Sequence, residues 1–265
     1  MAIYVCGDIH QDVDISKLIR FQREHEDLTK NDYVIVCGDF GLLWNNPYFM
    51  ELYGEEGFYG YDECDNWWSA EELDLMQWYE NCPWTTLWVD GNHECYDRIK
   101  KYPITEWHDG LVQVISPSII HLLRGEIYDI DGYSIFCMGG AMSTDRGTAT
   151  NTADFDEGKW WWPQEIPSDE EWRYAHENLE AHGNKVDFII THDCPAGVNI
   201  YKSYRISSVS NHLEMIRSTV DFKRWFCGHL HMDEDFGRVS VLYQRVVPIE
   251  YDPYQTIKEW GDEID

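Results

Sequence analysis

Positive charge is what this chain has least of: 20 Lys and Arg stand against 49 Asp and Glu, a formal net charge of -29 over 265 residues. Such a field repels DNA, RNA and anionic lipid, so a long nucleic acid or a membrane surface is not an expected partner. The deficit is also local, because residues 31–97 hold fifteen acidic side chains and no Lys or Arg. Long apolar runs are missing too; nothing approaches the roughly 18–20 residues that a membrane span needs. The eight cysteines include no C-x-x-C pair, and cysteines scattered through a chain of this length point to reduced thiols rather than a disulfide framework. Residues 1–7 show no basic stretch leading into an apolar one, so no signal peptide is expected and the expected location is cytoplasmic.

What the chain does have is apolar and aromatic material for a large core. Six short runs, apolar or β-branched, stop abruptly at Gly, Asp, Asn or His, the pattern of buried strands that feed functional loops. They are residues 3–6 before Gly7-Asp8, 33–37 before Gly38-Asp39, 86–89 before Asp90-Gly91-Asn92-His93, 133–138 before Gly139-Gly140, 187–190 before Thr191-His192, and 224–227 before Gly228-His229. Helical spacing fills the intervals: Ile15, Leu18, Ile19 and Gln22, then Ser69-x-x-Glu72 and Ser168-x-x-Glu171, each opening a periodic apolar stripe. Ser-x-x-Glu is a capping box, in which the Ser side chain accepts from a free amide and the Glu reaches back. Residues 119–133 read as two short strands around Arg124-Gly125, and 239–249 as a closing strand. Strands alternating with helices predict one α/β layered domain over 1–265, with loop insertions near 45–68 and 143–167. Ligands of such sheets bind at the strand carboxyl ends.

The polar residues that follow these strands are Asp8, His10, Asp39, Asn92, His93, His192, His229 and His231. Carboxylate and carbonyl oxygens mixed with imidazole suit Mn, Fe, Zn or Co rather than Ca or Mg alone. With His93 set aside, seven donors are too many for one tetrahedral ion. Two ions bridged by a carboxylate, about 3.5–4 Å apart, account for them more simply.

In order, the chain carries Gly7-Asp8-Ile9-His10, Gly38-Asp39, Gly91-Asn92-His93-Glu94, Thr191-His192 and Gly228-His229-Leu230-His231. With these five motifs it resembles the calcineurin-like metallophosphoesterases. The resemblance implies a four-layer α-β-β-α sandwich of two mixed sheets with a dinuclear metal centre at the strand ends. It implies that Asp8, His10 and His231 hold one ion, that Asn92, His192 and His229 hold the other, and that Asp39 bridges them. The ions would be two divalent or mixed-valence transition metals. It further implies that hydroxide made available by the metals attacks phosphorus in line, while His93, a non-ligand, donates a proton to the leaving oxygen or stabilises phosphoryl charge. The expected partner is therefore a phosphate ester, a small molecule or nucleotide, cleaved by a phosphodiesterase or phosphatase.

Protein Ser/Thr phosphatases of the superfamily continue the second motif as G-D-x-V-D-R-G, but here the text is Gly38-Asp39-Phe40-Gly41-Leu42-Leu43-Trp44. The supporting Asp and the phosphate-gripping Arg are both missing, which argues against that branch and leaves the partner of His93 open. Arg146, after Gly139-Gly140, is the replacement cation expected to bind substrate, with Lys202 and Arg205 as competitors. His25, His108, His121, His176, His182 and His212 fit no motif and read as surface or core residues. Cys6, Cys37, Cys137 and Cys227, close to strand ends, read as small buried groups rather than metal ligands. Trp67, Trp68 and Trp160 to Trp162 read as packing rather than as base-stacking groups. Two other classes remain in view: a nuclease, which needs a basic groove, and a non-catalytic scaffold, which would have shed donors or His93.

Overall fold

Why six apolar runs become strands is clear from their burial. In a computed structural model describing residues 1–45, 58–64, 66–143, 157–158, 160–202 and 204–254, Tyr33–Val36, Thr85–Trp88, Phe188–Thr191 and Arg224–Cys227 are buried at every position. Parallel strands covered on both faces need continuous apolar sequence, not alternation. A seven-stranded sheet runs in the order Val246–Pro248, Ile3–Cys6, Tyr33–Val36, Thr85–Trp88, Ile119–Leu122, Gly110–Ser116, Ile104–Trp107. A six-stranded sheet runs Glu234–Phe236, Val239–Val241, Arg224–Cys227, Phe188–Thr191, Tyr133–Met138, Ile127–Ile130. Both are mixed, parallel at the centre and antiparallel toward the edges.

The two sheets face each other across one core that includes Val5, Ile35 and Leu87 from the first and Ile135, Ile190 and Phe226 from the second. On the outer face of the first, Leu18 and Phe21 of helix Ser16–Glu24 and Leu75 and Tyr79 of helix Ala70–Asn81 pack with Val34, Val36 and Trp88. Helices Asp169–Ala181 and Ser208–Thr219 cover the second sheet through Trp172, Leu179, Leu213 and Ile216. The fold is thus the α/β sandwich of helix, sheet, sheet and helix. Each fully buried side chain of this kind contributes about 1.5–3 kcal/mol. Both expected capping boxes, Ser69 with Glu72 and Ser168 with Glu171, form at helix starts.

Three expectations change in detail. The strands flanking Arg124-Gly125 do not pair with each other: Ile119–Leu122 joins the first sheet and Ile127–Ile130 the second. Residues 239–249 likewise split into Val239–Val241 in the second sheet and Val246–Pro248 in the first. The region expected as a loop at 45–68 contains a hairpin, Phe58–Tyr61 with Trp67–Ser69. Asp62 holds its turn by accepting from the amides of Cys64 and Asn66, the Trp68 indole and the Tyr102 hydroxyl. Arg98 anchors the hairpin from below, donating to Glu72, to the carbonyls of Asn45 and Trp67, and lying over the Trp67 and Trp68 rings. Among the described residues, no helix is long and apolar enough to cross a membrane.

Candidate metal centre

Three strands of the first sheet and two of the second deliver polar residues to one place. Asp8 and His10 follow Ile3–Cys6, Asp39 follows Tyr33–Val36, and Asn92 and His93 follow Thr85–Trp88, all from the first sheet. His192 follows Phe188–Thr191, and His229 and His231 follow Arg224–Cys227, from the second. His10, Asp39, His229 and His231 all have left-handed backbone, at φ of 48°, 46°, 63° and 46°. Non-glycine residues held there are strained, and such strain gathers at functional sites.

Donor atoms of Asp8, His10, Asp39 and His231 lie within 4.8 Å of one another. His231 Nε2 is 3.0 Å from Asp8 Oδ2, and His10 Nε2 is 3.2 Å from Asp39 Oδ2. The other oxygen of Asp39 turns to a second group: Oδ1 is 3.3 Å from His192 Nε2, which is 3.1 Å from Asn92 Oδ1, and the His229 ring lies 5.0 Å from that of His192. Asp39 therefore faces both groups, one oxygen to each. Asp8, Asp39, Asn92 and His192 are buried, whereas the His231 side chain is 49% exposed, so the cluster opens to solvent on one side.

Neighbouring groups hold these donors in place. His192 Nδ1 donates to the carbonyl of Cys37 at 2.7 Å, and His10 Nδ1 meets Asp14 Oδ2 at 2.8 Å, so both rings turn Nε2 inward. Asp14 also accepts from the hydroxyl of Tyr243, whose ring stacks on His231 at 4.8 Å. Buried Lys17 donates to the carbonyls of Asp8 and Tyr243. Glu94 accepts from the amides of Phe40 and Gly41, pinning the Asp39 turn to the Asn92 loop, and burial beside Asp39 pushes its carboxyl well above the usual range.

Burial raises carboxylate pKa values, yet His192, His93 and His10 outweigh it and hold Asp39 well below its ordinary value. Burial alone would lower the imidazoles, but the Asp39 and Asp8 carboxylates push His10 up to about 9 and His192 up to about 10. Burial, reinforced by His192, lowers His229. Two carboxylates amid this many imidazoles, at these spacings, fit divalent cations of the transition series.

His93 donates its amide to Asp39 Oδ1 at 2.7 Å, and its ring stands 5.3 Å from that of His10 and 5.6 Å from Trp44. A cavity of about 170 Å³ beside the cluster is lined by His10, Gln11, Val13, Gly41, Trp44 and His93. A larger one, about 850 Å³, opens beside Asp90 and is lined by none of the eight strand-end residues expected in the site. Arg146 lies outside the described residues. Lys202 is paired with Glu234, while Arg205 makes no ion pair among the described residues. Of the tryptophans, Trp67, Trp68 and Trp162 are buried and pack inward.

Sequence reasoning missed Asp90. It accepts from Arg124 Nε and the Tyr96 hydroxyl, each at 2.9 Å, and from His121 Nε2 at 3.4 Å. Despite burial, Arg124 and His121 hold its carboxyl far below the ordinary range. The only signal was its position, one residue before Gly91-Asn92-His93, where Asp-Gly also reads as an ordinary turn.

A family model described as calcineurin-like phosphoesterase matches residues 1–233. The chain belongs to this family. Membership supports metal-dependent hydrolysis of phosphate esters in general, and the Asp/His cluster is a candidate site for the family's divalent metals. No curated protein matches the chain. Among solved structures, one is similar at 12% identity and a TM-score of 0.45, covering 91% of this chain and 88% of its own. Another, described as phosphopantetheinyl hydrolase (PptH) from Mycobacterium tuberculosis, is similar at 15% identity and a TM-score of 0.38, covering 96% and 97%.

Proposed function

We propose that the chain is a metal-dependent phosphodiesterase or phosphatase that acts as a single domain, in the cytoplasm, on a small molecule or nucleotide. The observation that carries this reading is Asp39, with one oxygen turned to each of two donor groups. Asp8, His10 and His231 then hold one ion, Asn92, His192 and His229 the other, and Asp39 belongs to both. When bound, two ions of the Mn, Fe, Zn or Co type supply Lewis acidity toward phosphoryl oxygens and a nucleophile at neutral pH. The chain's own groups do the rest. Asp14 and the Cys37 carbonyl keep the two Nε2 atoms inward, and Lys17 fixes the Asp8 turn. His93, in the wall of the small cavity beside Trp44, delivers a proton to the leaving oxygen. A scaffold would tolerate loss of donors, yet all seven and His93 are present.

The test is hydrolysis of bis-p-nitrophenyl phosphate and p-nitrophenyl phosphate by chelator-stripped protein reconstituted with Mn²⁺. Metal-restored cleavage is expected, and Asp39→Asn should lower kcat by roughly 10²–10³-fold or more. Full turnover by Asp39→Asn would overturn the two-ion reading.

A further inference from the structure

The cavity of about 850 Å³ beside Asp90 plays no part in the metal centre. The first sheet ends at it: Ile104 comes from the edge strand and Leu111 from the strand next to it, while Glu171 and Tyr174 of helix Asp169–Ala181 supply another part of the wall. Ile104, Leu111 and Tyr174 are 59%, 36% and 41% exposed, so three large apolar groups meet at one opening. Apolar residues scattered singly over a surface are ordinary. Gathered around a concavity of this size, with a few polar groups among them, they have the make-up of a ligand site.

Five Lys, Arg, Asp or Glu side chains line the cavity, and four of them are already neutralised. Arg124 donates to Asp90 and Glu171, and also to the Gln164 carbonyl at 2.8 Å and the Tyr96 hydroxyl at 3.0 Å. Lys100 is paired with Asp97. Glu126 is the fifth. Only 5% exposed, it accepts from the Tyr174 hydroxyl at 2.7 Å and from the Leu111 amide, and no Lys, Arg or His nitrogen lies within 4 Å of it among the described residues. The two buried acids of the cavity therefore differ: Arg124 and His121 hold the Asp90 carboxyl down, whereas burial, with no cation to oppose it, raises that of Glu126. A buried carboxylate without a counter-charge is unfavourable. The lining has room for one more positive charge and no free cation for a negative one.

We infer that this cavity is a second ligand site, and that it takes a small organic cation: an ammonium at Glu126, carried on an apolar frame that lies along Ile104 and Leu111 and against the Tyr174 ring. Carboxylate and ring act together, because an aromatic face attracts an ammonium within about 6 Å of its centroid. The cavity also borders the metal loop. Tyr96, in its wall, reaches the Gly91 carbonyl, and Asp90 and Gly91 directly precede Asn92 and His93. The inference concerns binding and stands apart from the hydrolase reading.

The experiment uses the full chain loaded with Mn²⁺ and three probes of one shape, 2-phenylethylamine, 2-phenylethanol and 3-phenylpropionate, titrated by calorimetry at pH 7.5. The amine should bind roughly tenfold or more tightly than the alcohol, and the anion most weakly. Glu126→Gln keeps an acceptor for Tyr174 and should bring the amine down to the level of the alcohol. If that variant does not fold, Ile104→Lys decides instead: placed on the exposed rim, it sets a rival ammonium in the opening and should weaken the amine while sparing the alcohol. Failure of the amine to bind, equal binding of amine and alcohol, or an amine affinity untouched by the deciding variant would overturn the inference. Inorganic phosphate should leave the amine bound, and displacement by phosphate would put the amine at the metal centre and overturn the second site.

Discussion

Asp14 shows how much of the site lies one step behind the donors. It touches no expected ion position, yet it holds His10 Nδ1 at 2.8 Å and the Tyr243 hydroxyl at 2.8 Å. Removing it frees the ring to rotate and to change tautomer, so Asp14→Ala should lower Mn²⁺ affinity about 10–100-fold. Equilibrium dialysis checks this, and unchanged affinity would mean that His10 keeps its orientation without Asp14. The imidazoles also make a pH signature. In the metal-free chain His10 titrates at about 9 and His192 at about 10, against about 6.5 when unfolded. Both pKa values are raised, so their contribution to stability is full below about pH 6.5 and lost as pH climbs through about 9 to 10. Metal must displace those protons. Mn²⁺ titrations at pH 7.5 in buffers of differing ionisation enthalpy should therefore show net proton release, and none would contradict protonated rings in the metal-free site.

At the scale of elements, glycines let the strand-end loops close on their carboxylates. A Cβ at Gly228 would overlap Asp8 and approach the Cys37 carbonyl, and one at Gly91 would overlap both the carboxylate and the amide of Asp39. Gly228→Ala should accordingly cost about 10–100-fold in metal affinity by displacing Asp8, measured by metal retention after gel filtration; full retention would show that the loop can yield. These glycines, and the donors beside them, were legible because each buried strand is an unbroken apolar run that ends abruptly. The exchange of strands between sheets was not legible. Residues 119–122 and 127–130 have the same local character as a hairpin, and local pattern says which face is buried but not which sheet will own it. Helix Ser208–Thr219 escaped for a different reason: its capping box pairs Ser207 with Ser210 rather than with an acid. The Asp90 cluster was hidden because His121 and Arg124 lie 31 and 34 residues downstream, and only the fold brings them to Asp90 and Tyr96.

For the whole molecule, a net charge of -29 is a standing self-repulsion. Raising ionic strength from about 0.01 to 0.15 M shortens the screening length from about 30 to 8 Å. The metal-free protein should gain at least about 2 °C in Tm over that range, the equivalent of roughly 1 kcal/mol for a chain this size. Calorimetry reads this directly, and a flat or falling Tm would mean that the acids are already neutralised within the fold.

The origin of the donors has a mechanical side. Asp8, His10, Asp39 and Asn92 ride on one sheet, and His192, His229 and His231 ride on the other; the His229 amide reaches across to both Asp8 oxygens at 3.0 and 3.1 Å. The centre is therefore a clasp over the seam of the sandwich. A filled clasp resists sliding of the layers, and any slippage of the layers, however remote its origin, is felt first as a misfit at Asp39.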